Sequence, residues 1–377
     1  MRPFGDQAPP VKGKTDDANS EPGGMGPRRA HGPQIELDVI FCLDCTLSMT
    51  PYISSAQQNI CAITEALVAY EKCDVRFGLV AYRDHQPTSG FLTKKLEFTS
   101  STSKMRRNVD ELTTGSGGDE PEGLSCALHD ALDMDWRKGS AKVVILVTDA
   151  PPHGLGERGD GFPDGCPFGY DPIVTAREMA REGICLYTVC CEPKLSGKSH
   201  RFAKDFMVAI ADITGGQTVS LSSSQLLVDV IIGSTQEEIA LEDLMSQFEL
   251  EKKAAMASVG SARLAKGQSY VIKDRRDSEF EAYENELVTA IYGGMSKRRV
   301  KSKRLEHDTK IDAPYAKALA SVADLAEWRK IQRGMVFTKK STPSIPATQV
   351  CVSTGAITSQ QVKRMIGKSS SRSGTTG

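Results

Sequence analysis

No stretch of about 18 or more apolar residues occurs in this 377-residue chain, so no membrane-spanning helix is expected. An apolar secretory core is missing too. Residues 1–33 are polar, rich in Gly, Pro, Asp and Arg and without periodicity, the composition of a disordered leader. Cysteine is sparse: ten in 377 residues are too few to staple a disulfide scaffold. Cys42, Cys185, Cys190 and Cys191 lie in apolar runs and read as buried free thiols of a reducing compartment, which predicts a cytoplasmic protein. Cys42 and Cys45 have the spacing of a metal pair, but no second pair completes a zinc site.

Net charge is nearly absent as well. The 47 Lys and Arg against 48 Asp and Glu leave −1, which excludes a nucleic-acid binder held by bulk positive charge. The sum conceals a division. Residues 1–250 carry 23 basic and 36 acidic side chains, whereas residues 251–377 carry 24 and 12. Two segments of opposite sign share the chain.

What is present is an alternation of apolar runs and helical stripes. Runs from Ile35 to Leu43, Val143 to Thr148 and Ile184 to Cys191 read as strands apolar enough to be buried on both faces; Val75 to Tyr82 reads as a further strand, and Leu96 to Phe98 and Gln217 to Leu221 are shorter. Between them, Ile53, Ala56, Ile60, Ile63, Leu67 and Tyr70 form one helical stripe. Further helices are expected at Ser103 to Leu112, Leu124 to Leu132, Pro172 to Arg181, Phe202 to Ile213 and Leu226 to about Leu250. The pattern predicts an α/β protein with a doubly wound, mostly parallel central sheet flanked by helices. In such a sheet, function gathers at the carboxyl ends of the strands.

Those ends carry oxygen ligands. The first strand runs into Asp44-Cys45-Thr46-Leu47-Ser48, three oxygen side chains at alternate positions of a turn, and the fourth into Thr148-Asp149. Between them lies the acidic, glycine-rich loop Gly117-Gly118-Asp119-Glu120-Pro121-Glu122-Gly123. Such hard oxygens suit Mg²⁺, Ca²⁺ or Mn²⁺. Taken singly, Thr46 and Ser48 read equally as helix caps and Asp149 as the start of a turn.

Together the three loops resemble a von Willebrand factor A domain with its metal-ion-dependent adhesion site, over about residues 34–235. The family pattern is D-x-S/T-x-S, a second acidic or Thr-bearing loop, and an Asp after the fourth strand. The resemblance implies a Rossmann-like sheet and a metal held by Asp44, Thr46, Ser48, Glu122 and Asp149, with Asp119 nearby; Glu122 follows from the D-x-P-E-G form of the second loop. It also implies a partner protein whose Asp or Glu completes the metal's shell. The sequences D-C-T-L-S-M, T-D-A-P-P-H-G and G-D-G-F-P-D-G-C-P-F-G-Y-D-P resemble the A domain of the von Willebrand A alpha-kinases more closely. Residues 251–377 hold one cysteine, Cys351, one histidine, His307, and no glycine-rich phosphate loop, so the alpha-kinase domain is expected to be absent. The expectation is an intracellular, non-enzymatic interaction module. The alternatives are a truncated relative of an alpha-type serine/threonine kinase, or a nucleic-acid-associated and nuclear protein using the basic run Lys297–Arg304.

Other features carry less. The loop from Ala150 to Asp171 is long and Gly/Pro-rich, either a wall of the ligand surface or a plain insertion. His153 is expected to pack within that loop, Arg158-Gly159-Asp160 to match an integrin-recognition tripeptide by coincidence, and Asp84 to hold structural hydrogen bonds. Helical stripes at Phe280, Tyr283, Leu287 and Ile291, and at Leu319, Val322, Leu325 and Trp328, predict a mainly helical segment over 236–340, ahead of a disordered tail at 341–377.

Overall fold

The apolar runs pair into one six-stranded sheet in the computed structural model, which describes residues 35–68, 73–85, 90–197, 200–266, 278–334 and 344–372. The leader expected at 1–33, Tyr70 and the side chain of Phe280 lie outside the described residues. In chain order the elements are β1 (Ile35–Asp44), α1 (Thr50–Val68), β2 (Cys73–Tyr82), β3 (Thr93–Thr99), α2 (Thr102–Asp110), α3 (Leu124–Leu132), β4 (Ala141–Thr148), α4 (Pro172–Arg181), β5 (Ile184–Cys191), α5 (Ala203–Thr214) and β6 (Thr218–Leu221). Strand order is β3-β2-β1-β4-β5-β6, with β3 antiparallel and all other pairings parallel. The order reverses direction between β1 and β4, so the crevice of a doubly wound sheet opens there.

Alternation within each strand divides the core. Val39, Phe41, Val143, Ile145, Tyr187 and Val189 face one cluster with α1, α2 and α6 (Leu227–Asp243). Ile40, Cys42, Val144, Leu146 and Leu186 face the other with α3, α4 and α5. All eight residues of β4 are buried. Each fully buried Val, Leu or Ile contributes about 1.5–3 kcal/mol, which holds a fully covered parallel strand in place.

The later chain differs from its expected pattern. The closing helix predicted to run to Leu250 ends at Asp243, and α7 (Met245–Ala265) starts after Leu244. Leu241, Met245 and Phe248 there join a third cluster with α8 (Ser278–Lys297). The basic run Lys297–Arg304 is a helix end and a strand. Lys297 closes α8, Arg299 takes a left-handed φ of 57°, and Val300 N donates back to Met295 O at 3.1 Å. Lys301 to Arg304 then lie in β7 (Lys301–His307). The stripe Leu319, Val322, Leu325, Trp328 is buried throughout but belongs to two short helices, α9 (Ala316–Ser321) and α10 (Leu325–Arg333). Val322 is extended, and the Asp324 carboxylate restarts the helix by accepting from Glu327 N at 2.7 Å. The disordered tail expected from residue 341 gives way to β8 (Val350–Ala356), antiparallel to β7, and α11 (Ser359–Arg372).

Ionic contacts dock α11. The Arg364 guanidinium pairs with Glu237 Oε1 at 2.6 Å and with Glu238, and Lys368 Nζ reaches Glu238 at 2.8 Å. All four side chains are buried. Lone polar residues in a Ser-rich segment gave no sequence sign of ordered helix; their partners lie on α6, more than 120 positions away.

Candidate functional site

Two strand ends meet at the switch point. Leu43 of β1 pairs with Val147 of β4, which sets Asp44 beside Thr148. Asp44 is fully buried and both of its oxygens accept hydrogen bonds. Oδ1 accepts from Thr46 N at 2.9 Å and Thr46 Oγ1 at 2.7 Å, and Oδ2 accepts from Thr148 Oγ1 at 2.9 Å. Thr46 Oγ1 lies 3.3 Å from Ser48 Oγ. Thr46 occupies a helix N-cap position, yet its side chain makes no capping bond. The hydroxyl goes to Asp44 instead, so the cap alternative does not describe it.

The second loop approaches through backbone. Gly115 N donates to Cys45 O at 3.0 Å, and Arg83 NH2 to Thr113 O at 2.6 Å while its Nε reaches Cys45 O at 3.1 Å. Glu122 N donates to Pro151 O at 3.0 Å and Gly123 N to Arg83 O at 2.9 Å. Gly123 must be glycine at this approach, since a Cβ would come within 2.5 Å of the Arg83 carbonyl oxygen. These ties bury the Glu122 side chain and leave its Oε2 without a hydrogen-bond partner.

Crowded carboxylates raise one another. Burial, then the charge of Asp149, pushes the Asp44 carboxyl up to about 6. Burial, then the charge of Asp44, pushes Glu122 up to about 10. A positive charge already answers this field: Lys194 Nζ, from the turn after β5, donates to Ser48 Oγ at 2.8 Å and Asp149 Oδ1 at 3.2 Å. Lys194 carries no signal in the sequence, because nothing local marks which rim a lone lysine reaches.

Asp119 stands elsewhere. It accepts from Gly161 N, and its ligand oxygen lies within 4.8 Å of those of Asp84 and His153. His153 is buried between two carboxylates, Asp84 Oδ1 and Asp160 Oδ1, each at 2.7 Å. Burial alone would lower its pKa, but the two carboxylates hold it up to about 9. Asp160 is thereby turned inward, so the tripeptide at 158–160 does not present its carboxylate. The long loop is fastened from outside as well: Trp328 Nε1 donates to Leu155 O at 3.2 Å, and Arg329 to Gly154 O at 3.1 Å. Trp328 is thus a packing residue.

The donors on this rim are hard oxygens, two hydroxyls and three carboxylates, one of them with an orphaned buried oxygen; this chemistry fits a divalent cation such as Mg²⁺. No helix among the described residues is long and apolar enough to cross a membrane.

Residues 38–230 match the family model of the von Willebrand factor type A domain. An alpha-protein kinase, vwkA, of Dictyostelium discoideum is 35% identical over 144 residues, which cover 37% of this chain and 23% of that protein. The chain spans under a quarter of the length of the curated relatives it matches. Among solved structures, a von Willebrand factor type A protein from Catenulispora acidiphila aligns at 16% identity and a TM-score of 0.37, over 55% of this chain and 43% of that one. The pilus adhesin SpaC from Lactobacillus rhamnosus GG aligns at 12% identity and a TM-score of 0.42, over 56% and 31%.

Proposed function

The chain belongs to the von Willebrand factor type A domain family, and on that premise we propose that it is a metal-dependent protein-interaction module rather than an enzyme. Asp44, Thr46, Ser48, Asp149 and Glu122 would hold Mg²⁺, or Ca²⁺ or Mn²⁺, and an Asp or Glu of a partner protein would complete the shell. When bound, the cation supplies a Lewis-acidic anchor for that carboxylate. The protein's own residues do the rest. Thr46 and Thr148 orient Asp44 through its two oxygens, and the buried Glu122 keeps an oxygen without a partner. Leu47, 60% exposed between Thr46 and Ser48, offers an apolar contact beside the site.

The observation that carries this proposal is the convergence of Asp44, Thr46, Ser48 and Asp149 on one rim with Lys194 Nζ bridging Ser48 and Asp149. These side chains make a place for positive charge. The relative from Dictyostelium, an alpha-protein kinase by name, supports a link to that class, while its kinase activity stays a property of that protein. We further place the chain in the cytoplasm, in keeping with nine described cysteines that are all free. Calorimetric titration of Mg²⁺ and Mn²⁺ into the protein and its Asp44→Ala variant tests the proposal, with a pull-down in the presence and absence of EDTA. Equal cation affinity in the two proteins would sink it.

A further inference from the structure

A second constellation lies on the same rim and uses different chemistry. His85 follows the end of β2, Cys126 sits in the first turn of α3, and Cys166 lies in the long loop before α4. Their ligand atoms all lie within 4.8 Å of one another. Cys126 Sγ is 3.3 Å from Cys166 Sγ and 3.8 Å from His85 Nε2.

We propose that His85, Cys126 and Cys166 form a site for zinc or a similarly soft divalent cation. Two sulfurs and an imidazole nitrogen select zinc over magnesium or calcium, so this site and the oxygen site would not compete for one ion. Zinc–sulfur bonds of about 2.3 Å and zinc–nitrogen bonds of about 2.0–2.1 Å, at a tetrahedral angle, require S···S of about 3.8 Å and S···N of about 3.5 Å. The observed separations differ by a few tenths of an ångström, within reach of side-chain rotation.

The surroundings are built for a ligand set. Cys126 is buried, while Cys166 is partly exposed and leaves an entry path. Gly169 N donates to Cys166 O at 2.9 Å and closes a turn that presents the sulfur. The rings of Phe162 and Phe168 pack on His85 at 5.4 and 5.7 Å between centroids, shielding the imidazole. Three protein ligands leave one position for water. The site joins segments 40 and 41 residues apart, so an ion there would staple the long loop to β2 and α3. The same loop supplies His153 to Asp84 and Gly161 to Asp119, so the staple would fix the wall beside Glu122. Nothing in this inference depends on a cation at Asp44.

The test uses the full chain, purified under reducing conditions without chelator. Metal content, zinc affinity by competition with a chromophoric chelator, and the Co²⁺ spectrum are measured for the wild type and for Cys126→Ser, Cys166→Ser, His85→Ala and Asp44→Ala. Expected are one zinc per chain, a thiolate-to-Co²⁺ charge-transfer band, and zinc affinity at least tenfold weaker in the first three variants but unchanged in Asp44→Ala. Cys166→Ser, on the partly exposed loop, guards against loss of folding, and the wild-type Co²⁺ spectrum needs no variant at all. A reduced wild type without the charge-transfer band overturns the proposal. So does a Cys126–Cys166 disulfide that forms in the presence of stoichiometric zinc.

Discussion

Lys194 Nζ stands 3.2 Å from Asp149 Oδ1, on a carboxylate that is almost wholly buried while the lysine stem is 37% exposed. An ammonium group therefore occupies the electrostatic position that a divalent cation would take. Removing it in Lys194→Ala is expected to tighten Mg²⁺ binding. An exposed-partner ion pair is worth up to about 1 kcal/mol, so the gain should be no more than about fivefold. Calorimetry on the variant checks this, and weaker binding would show that Lys194 assists the cation instead of competing with it.

Glu122 is expected to give up a proton when a cation arrives. Its carboxyl is held up to about 10, chiefly by burial, so it is protonated at neutral pH, and a metal ligand must be ionised. Titrating Mn²⁺ in buffers of different ionisation enthalpy should reveal release of about one proton per cation. Glu122→Gln should abolish the release. A buffer-independent enthalpy in the wild type would show that Glu122 does not enter the shell.

His153 sets an alkaline limit for the long loop. Its folded-state pKa, about 9, lies above the usual 6.5, so the stability it contributes is fully present below 6.5 and is lost as pH rises through 9. The contribution is on the order of 1–3 kcal/mol. Hydrogen exchange of residues 150–171, corrected for intrinsic rates, should show loss of protection between about pH 7 and pH 10. His153→Asn should flatten that profile.

Arg364 holds α11 to α6 by charge in a dry setting. Arg364→Ala leaves Glu237 in the interior without its cation and Glu238 with Lys368 alone, and breaking a buried pair in this way costs about 3–5 kcal/mol. Urea denaturation should report a loss of that size. A loss under about 1 kcal/mol would mean that water reaches the two carboxylates.

Trp328 ties the later chain to the rim. It is fully buried, stacks edge-on against Phe202 at 5.2 Å and donates to the Leu155 carbonyl. Trp328→Ala should cost about 3–5 kcal/mol. Trp328→Phe keeps much of the packing and loses the hydrogen bond, for about 1 kcal/mol. Thermal melts of the two variants separate the terms.

Much of the sheet was legible because apolar runs of five to ten residues have no alternative to burial on both faces; β4 and β5 are buried at every position. The oxygen residues at the strand ends were legible because a doubly wound sheet gathers such ends at one rim. The later segment was harder. The four residues of the stripe ending at Trp328 are all buried, but spacing alone did not show that Asp324 restarts the helix. The Ser-rich end looked disordered because the residues that order it, Arg364 and Lys368, depend on glutamates of α6.

The sequence by itself determined the α/β order and the six strands of the central sheet, since periodicity is a property of neighbours in the chain. Only the tertiary structure decided which groups share a site. It set Lys194 against Asp149, moved Asp119 to Asp84 and His153, and brought Cys166 to Cys126 and His85. Those pairings join loops that lie far apart in sequence, and loop-to-loop distance is fixed by how the sheet winds and packs, which no local pattern encodes.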